Sequence, residues 1–140
     1  MTNEQSSFTS REEHQLSEVI VKGDSVRVPM PPSLNSAYHN IPGRGRVLSK
    51  TARAWKDRNV PYIALKLKRF DGSVRISIVF HLGTSFRGDL SNRFKFAEDA
   101  LKSAGIITDD NHKVVRGGSF EIGEPSGQSL SEITIRVVAA

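Results

Sequence analysis

The sequence contains no cysteine, and this absence excludes disulfide bonds and thiolate metal sites. It also contains no run that approaches the ~18 uninterrupted apolar residues that a membrane-spanning helix needs. The opening stretch MTNEQSSFTSREEHQ lacks the basic start and the apolar stretch of a secretory signal. We therefore expect a cytoplasmic protein with no membrane segment.

The N-terminal part of the chain differs in composition from the rest. Residues 1–17 are rich in Ser, Thr and Glu and lack apolar periodicity, which predicts a flexible polar tail. The remaining residues, 18–140, are about as many as one domain needs, and they suffice to build a hydrophobic core. We therefore expect a single domain preceded by a tail.

Positive charge is concentrated in one segment. The formal net charge of +5 favours polyanionic partners without specifying a fold. Between positions 44 and 58, only Asp57 opposes the basic residues Arg44, Arg46, Lys50, Arg53, Lys56 and Arg58. One interpretation of this segment is a solvated face. The other is a nucleic-acid interface, with phosphate contacts from Arg44, Arg46, Lys50 and Arg53.

The first half of the chain predicts one strand and one helix. Apolar residues in 19–30 indicate a strand that ends at Pro31-Pro32, because proline cannot donate to a sheet ladder. Residues 31–49 are rich in Pro, Gly, Ser and Asn and predict a loop. Ser49 is the expected N-cap of the following helix. Pro61 is expected to kink or split that helix near Asn59.

The second half carries clearer periodic patterns. Residues 73–82 alternate between apolar and polar side chains and predict a central strand. Residues 90–104 repeat apolar side chains at helical spacing, with Asp89 at the expected N-cap and Gly105 at the expected C′ position. Two more strands are predicted at 112–122 and 130–138. The expected fold is α+β, a mixed sheet of about four strands with two main helices packed on it.

Acidic residues flank the helix at 90–104. Taken singly, Asp89 is explained as a helix cap and the pair Asp109-Asp110 as a turn. Taken together, they suggest a metal site, since Mg²⁺ prefers oxygen ligands and uses few carboxylates together with substrate phosphate. Convergence requires either antiparallel pairing of the strands at 73–82 and 112–122, or a loop that folds back over the helix. The spacing leaves both arrangements open.

Two stretches resemble motifs of one enzyme family. GDLSNRFKFAEDALKSAGIITDDNHKVV, residues 88–115, resembles the RusA family signature D-x-D-N-x-x-K…DAL…AG…DD…V, and PPSLNSAY resembles its upstream motif P-P-S-x-N-x-x-Y. The resemblance implies a RusA-like fold. It also implies a homodimeric, Mg²⁺-dependent endodeoxyribonuclease, with Mn²⁺ as a substitute, that nicks four-way (Holliday) DNA junctions symmetrically in recombination and repair. Many members of this family are phage- or prophage-borne.

The resemblance also assigns roles to residues. Asp89 and Asp110 match catalytic, metal-binding aspartates, and Lys95 matches a lysine that stabilises charge on the phosphate. Ser91 stands where the family has a further catalytic Asp. Its hydroxyl is a candidate for the metal site because it can accept a metal-bound water, but the loss of one carboxylate should weaken metal binding.

Two acidic residues could compensate for Ser91. Asp109 is one, and Glu98, on the helical strip of Ser91 and Lys95, is the other, although about 10 Å of helix separates Glu98 from Ser91. Asp99 lies off this strip. Arg93 and Lys102 add positive charge for DNA binding on the same helix.

Two other functions stay open at this stage. The substitution at Ser91 favours a catalytically weak or inactive protein that binds junctions. The basic composition alone also fits a protein-interaction domain without preference for branched DNA.

Overall fold

The computed structural model describes residues 22–140, so the expected tail at 1–17 lies outside the described residues. No helix in this part of the chain is long and apolar enough to cross a membrane. The elements, in chain order, are β1 (Ser25–Pro29), α1 (Leu34–Ala37), β2 (Tyr38–Ile41), β3 (Gly45–Leu48), α2 (Lys50–Lys66), β4 (Val74–His81), α3 (Ser91–Ser103), β5 (Val115–Ile122) and β6 (Glu132–Ala139).

Four strands form one mixed sheet in the order β1-β6-β4-β5. Strand β6 pairs antiparallel with both β1 and β4, whereas β4 and β5 are parallel. The α+β prediction is therefore confirmed, and β4 is central as expected. The described part of the predicted first strand, 19–30, contains β1, and the other predicted strands match β4, β5 and β6 within a few residues.

The alternation in β4 explains where the core lies. Val74, Ile76, Ile78 and Phe80 are at most 1% exposed, while Arg75 on the other face is exposed. These side chains share one apolar cluster with residues of α2, α3 and β6. Burial of this face supplies the main favourable free energy of folding. The helices consequently pack on one face of the sheet.

Helix α2 begins as expected. The Ser49 hydroxyl accepts a hydrogen bond from the Ala52 amide at 3.1 Å. However, the helix runs unbroken from Lys50 to Lys66 with Pro61 inside it, so the expected split near Asn59 is wrong. The carbonyl that loses its donor to proline belongs to Asp57, four residues earlier. Asp57 is exposed, and water can satisfy its carbonyl.

The segment 31–49 is more ordered than the predicted loop. It contains the short helix α1 and an antiparallel hairpin in which Tyr38 pairs with Leu48. The hairpin turn places Gly43 at φ +81° and Gly45 at φ +76°, where a Cβ atom would be strained. These elements have only four residues each, which is too short for a periodic pattern to reveal them.

Helix α3 differs from the prediction at its start. Its N-cap residue is Leu90, which makes no side-chain capping bond. Asp89 instead accepts a hydrogen bond from the Ser91 amide at 2.9 Å, so its carboxylate caps the helix from one residue earlier. At the other end, Gly105 has φ +75°, which confirms its predicted place after the helix.

Candidate functional site

One strip of helix α3 carries charged and polar side chains. Ser91, Lys95, Glu98 and Lys102 follow one another at steps of four, three and four, so they lie on the same side of the helix. The Lys95 ammonium lies 3.9 Å from the Glu98 carboxylate.

The loop after α3 returns along this strip. Because β4 and β5 are parallel, the antiparallel route to convergence of Asp89 and Asp110 does not occur. The loop instead places Asp109 3.2 Å from Lys102, and it brings Asp110 into a cleft beside Lys95 and Glu98. The loop therefore folds back over the helix as the second route requires, but it brings Asp110 to Lys95 and Glu98, and Asp89 does not line the same cleft.

This acidic cleft lies between α3 and the hairpin region. It has a volume of about 260 Å³ and is lined by Leu34, Tyr38, Arg46, Lys95, Glu98, Asp99 and Asp110. A second depression shares Leu34, Tyr38 and Arg46 and adds Asn35 and Asn40. The two depressions adjoin at these shared residues, with three carboxylates lining the first and two amide side chains lining the second.

Glu98 is the most buried carboxylate of the cleft, with 8% of its surface exposed. Burial raises the pKa of Glu98 above its usual 4.5, the Lys95 ammonium lowers it, and the Asp110 carboxylate raises it again. Loss of water around a charge and a nearby like charge both disfavour ionisation. A cation bound between Glu98 and Asp110 would relieve both effects.

Replacement of this carboxyl group should make stability less dependent on pH. Since the pKa of Glu98 is higher in the folded than in the unfolded state, stability falls as pH rises above about 4.5. We expect Glu98→Gln to raise Tm at pH 7 by a few degrees and to leave it unchanged near pH 4, measured by circular dichroism. Glu121→Gln, at an exposed site on β5, is the control. A Tm gain that is equal at both pH values would contradict the raised pKa of Glu98 in the folded protein.

Asp89 lies outside the acidic cleft, before the start of α3. Its carboxylate accepts hydrogen bonds from the Ser91 hydroxyl at 2.9 Å and the Asn92 side chain at 3.3 Å. The hydrogen bond from the Ser91 hydroxyl, followed by that from the Ser91 amide, lowers the pKa of Asp89. Within residues 22–140, no group of three or more His, Cys, Asp or Glu side chains is arranged to hold a metal ion.

The predicted DNA-contacting residues divide into two groups. Arg44, Lys50 and Arg53 are exposed on or next to the hairpin, and the Arg46 guanidinium lies 4.2 Å from the centre of the Tyr38 ring at the cleft wall. Two others make contacts within the protein. Lys102 pairs with Asp109 at 3.2 Å, and Arg93 donates a hydrogen bond to the Pro31 carbonyl at 2.8 Å.

Two residues that line the cleft, Asp99 and Tyr38, were not assigned to it from the sequence. Asp99 lines the cleft although it lies off the strip, and its carboxylate pairs with Lys56 at 2.6 Å. Tyr38 stands in the PPSLNSAY motif, which was the available signal for its position beside the site. Asp99 is the Asp of the DAL element in the same family signature, but its contact with Lys56 depends on how α2 packs against α3 and does not follow from the motif.

Comparison with known proteins identifies the family. The crossover junction endodeoxyribonuclease RusA of Escherichia coli strain K12 is 36% identical over 110 residues, which cover 70% of this chain and 90% of that protein. The protein of the same name from Escherichia coli O139:H28 strain E24377A matches equally, and that from Shigella sonnei is 34% identical over the same lengths. No protein-family model matches the chain. The chain belongs to the RusA family.

Proposed function

We propose that the protein is a structure-specific endodeoxyribonuclease that resolves four-way DNA junctions in recombination and repair. The observation that carries this proposal is the shared position of Asp110, Lys95 and Glu98 in one open cleft next to a cationic hairpin. Its family membership supports the same activity, because the curated relatives are named crossover junction endodeoxyribonucleases. Such an enzyme hydrolyses phosphodiester bonds at the branch.

The donor atoms of the cleft fit a hydrated divalent ion. Asp110 and Glu98 offer the oxygen ligands that Mg²⁺ prefers, and few carboxylates suffice when substrate phosphate supplies further ligands. We propose that these two residues hold Mg²⁺, or Mn²⁺ in its place, and that Asp89, at the helix start, holds water around the bound ion and phosphate instead of binding the ion directly. When bound, such an ion polarises the phosphodiester and stabilises the leaving oxygen.

The chain's own residues have separate tasks in this proposal. The Lys95 ammonium stabilises negative charge that develops on the phosphate, since a cation placed beforehand costs no reorganisation during the reaction. Ser91 orients the Asp89 carboxylate through the hydroxyl that it donates. Asp109 keeps Lys102 beside the cleft through their ion pair.

The cationic hairpin region provides the DNA interface. Phosphate contacts from Arg44, Arg46, Lys50 and Arg53 position the DNA arms without reading sequence. Each contact adds about 0.9 to the slope of log K against log salt concentration. Because a junction is cut at two symmetric positions, we propose that two copies of the chain act as a homodimer, with one cleft for each strand.

A cleavage assay tests the proposed activity. Purified protein is incubated with an end-labelled four-way junction and with a duplex of equal length, in Mg²⁺, in Mn²⁺ and in a chelator. We expect paired symmetric nicks in the junction with either metal and none with the chelator. Cutting of duplex and junction at equal rates, or unchanged cutting in the chelator, would contradict the proposal.

The alternative function is a junction-binding protein that cleaves weakly or not at all. Ser91 favours it, because a neutral hydroxyl bonded to Asp89 stands where a third family carboxylate is expected. If this alternative holds, Ser91→Asp should create or strengthen metal-dependent cleavage by at least about 10-fold. The rate of junction cutting measures the effect, and Ser36→Asp, at an exposed position on α1, is the control. An unchanged rate would show that Ser91 does not limit the site.

A further inference from the structure

A second cleft lies beside the acidic cleft, on the other side of the segment that leads into α1. It has a volume of about 360 Å³, and its walls include Pro31, Trp55, Phe86, Arg87, Arg93 and Leu130. We call it the aromatic cleft. Pro31 borders this cleft and Leu34 borders the acidic cleft, so residues 31–34 form the ridge between them.

The aromatic cleft is cationic. Arg87 and Arg93 contribute to its walls, and no acidic residue does. The Arg93 guanidinium lies 5.2 Å from the centre of the Phe86 ring, and its Nε atom is buried without a hydrogen-bond partner in the described part of the chain. Within residues 22–140, Arg93 has no carboxylate within ion-pair distance. A half-buried guanidinium with one buried nitrogen left without a partner favours a site for an anion.

The lining of the cleft includes one exposed apolar side chain on a hydrogen-bonded loop. Leu130 is 71% exposed. Its loop is nevertheless held by two hydrogen bonds to the chain after β4: the Gly83 amide donates to the Ser131 hydroxyl at 2.7 Å, and the Thr84 amide donates to the Gln128 carbonyl at 3.1 Å. The backbone on both sides of Leu130 is therefore held in place while its side chain faces solvent at the cleft.

We infer that the aromatic cleft binds one unpaired nucleotide of the DNA, with its base against Leu130, Phe86 and the edge of Trp55 and its phosphate at Arg93 and Arg87. Flat apolar surfaces combined with arginine are the features that bind single-stranded bases. The volume is at the small end of pockets that hold small molecules. It admits a base only after that base has left the stack of a duplex.

This inference rests on the proposed function for the source of the nucleotide, because the branch point of a junction provides unstacked bases. Arg93 lies between the aromatic cleft and the start of α3, since it lines this cleft and its positive charge acts on Asp89. A base held in the aromatic cleft would position the strand whose phosphate enters the acidic cleft.

Trp55 makes the test direct, because it is the only tryptophan of the chain. Its emission is followed while a thymidine pentanucleotide is added in a chelator, which prevents cutting. A second titration uses an abasic pentanucleotide with the same number of phosphates. We expect saturable quenching by the thymidine oligonucleotide and binding of the abasic one that is about 10-fold weaker.

Variants of the lining residues test whether the oligonucleotide binds in the aromatic cleft. Leu130→Ser and Arg87→Gln should each weaken thymidine binding by about 10-fold. The matched controls Ile122→Ser and Arg69→Gln, at exposed positions outside the cleft, should bind as the parent does.

Absence of quenching would overturn the inference, and so would equal binding of the abasic oligonucleotide or unchanged binding by Leu130→Ser. Since no cleavage is measured, these results are independent of whether the protein is a nuclease.

Discussion

The Asp110→Asn variant is expected to bind a four-way junction as tightly as the parent protein and to cut it at least about 100-fold more slowly. Asp110 lines the acidic cleft together with Lys95 and Glu98. The amide has nearly the same shape as the carboxylate but lacks the charge that holds a divalent ion. Binding should persist because the phosphate contacts come from the hairpin region.

Two measurements on the same preparation check this expectation. Gel-shift titration in a chelator gives junction affinity, and single-turnover cleavage in Mg²⁺ gives the rate. The control is Asp24→Asn, because Asp24 precedes β1, at the sheet edge opposite β5, and pairs with Arg136 at 3.5 Å. This control should cut at the parent rate. Equal losses of binding and cutting in Asp110→Asn would show that Asp110 positions DNA instead of taking part in hydrolysis.

The Phe96→Ala variant is expected to lose about 3–5 kcal/mol of unfolding free energy. Phe96 is fully buried, and its ring packs edge-on against Trp55 with 5.6 Å between ring centres. Truncation removes this contact between α2 and α3 and leaves a cavity. Tm should fall by about 10–17 °C, and the emission of Trp55 should shift to longer wavelength as water reaches it.

Urea unfolding followed by circular dichroism measures the loss for Phe96→Ala. Ile122→Ala is the comparison, because this side chain is 62% exposed on β5 and its truncation should change stability by no more than about 0.5 kcal/mol. If Phe96→Ala lost less than about 1 kcal/mol, the packing of α2 on α3 would contribute little to the fold. The acidic cleft depends on that packing, since Lys56 of α2 pairs with Asp99 of α3.

The periodic parts of the sequence predicted the main elements correctly. The alternation along β4 and the apolar stripe of α3 each reflect a local rule, because neighbouring side chains in a strand or helix point in directions fixed by backbone geometry. The short elements between residues 31 and 49 escaped prediction because four residues cannot establish a period. Helix α2 also differed from the prediction, because it continues through Pro61 without a break. Proline has no amide proton to donate to the Asp57 carbonyl, and Asp57 is exposed, so water can replace that donor.

The candidate site could be predicted only in part. Asp89, Lys95 and Asp110 follow from the motif, and the strip on α3 follows from helical spacing. The cleft that Asp110, Asp99 and Glu98 share without Asp89, and the burial of Glu98 within it, do not follow from any local pattern. They depend on how α2 packs against α3 and on the path of the loop that follows α3.

The sequence by itself determined the central strand β4, the helix α3 with its terminal glycine, and the residue types that suit phosphodiester chemistry. Only the tertiary structure decided that β5 lies parallel to β4 and that the loop before it returns along α3 to bring Asp110 beside Lys95 and Glu98. The physical reason is one of range. Periodicity and capping act within a few residues, whereas strand pairing and loop paths are selected by burial of surfaces far apart in the chain.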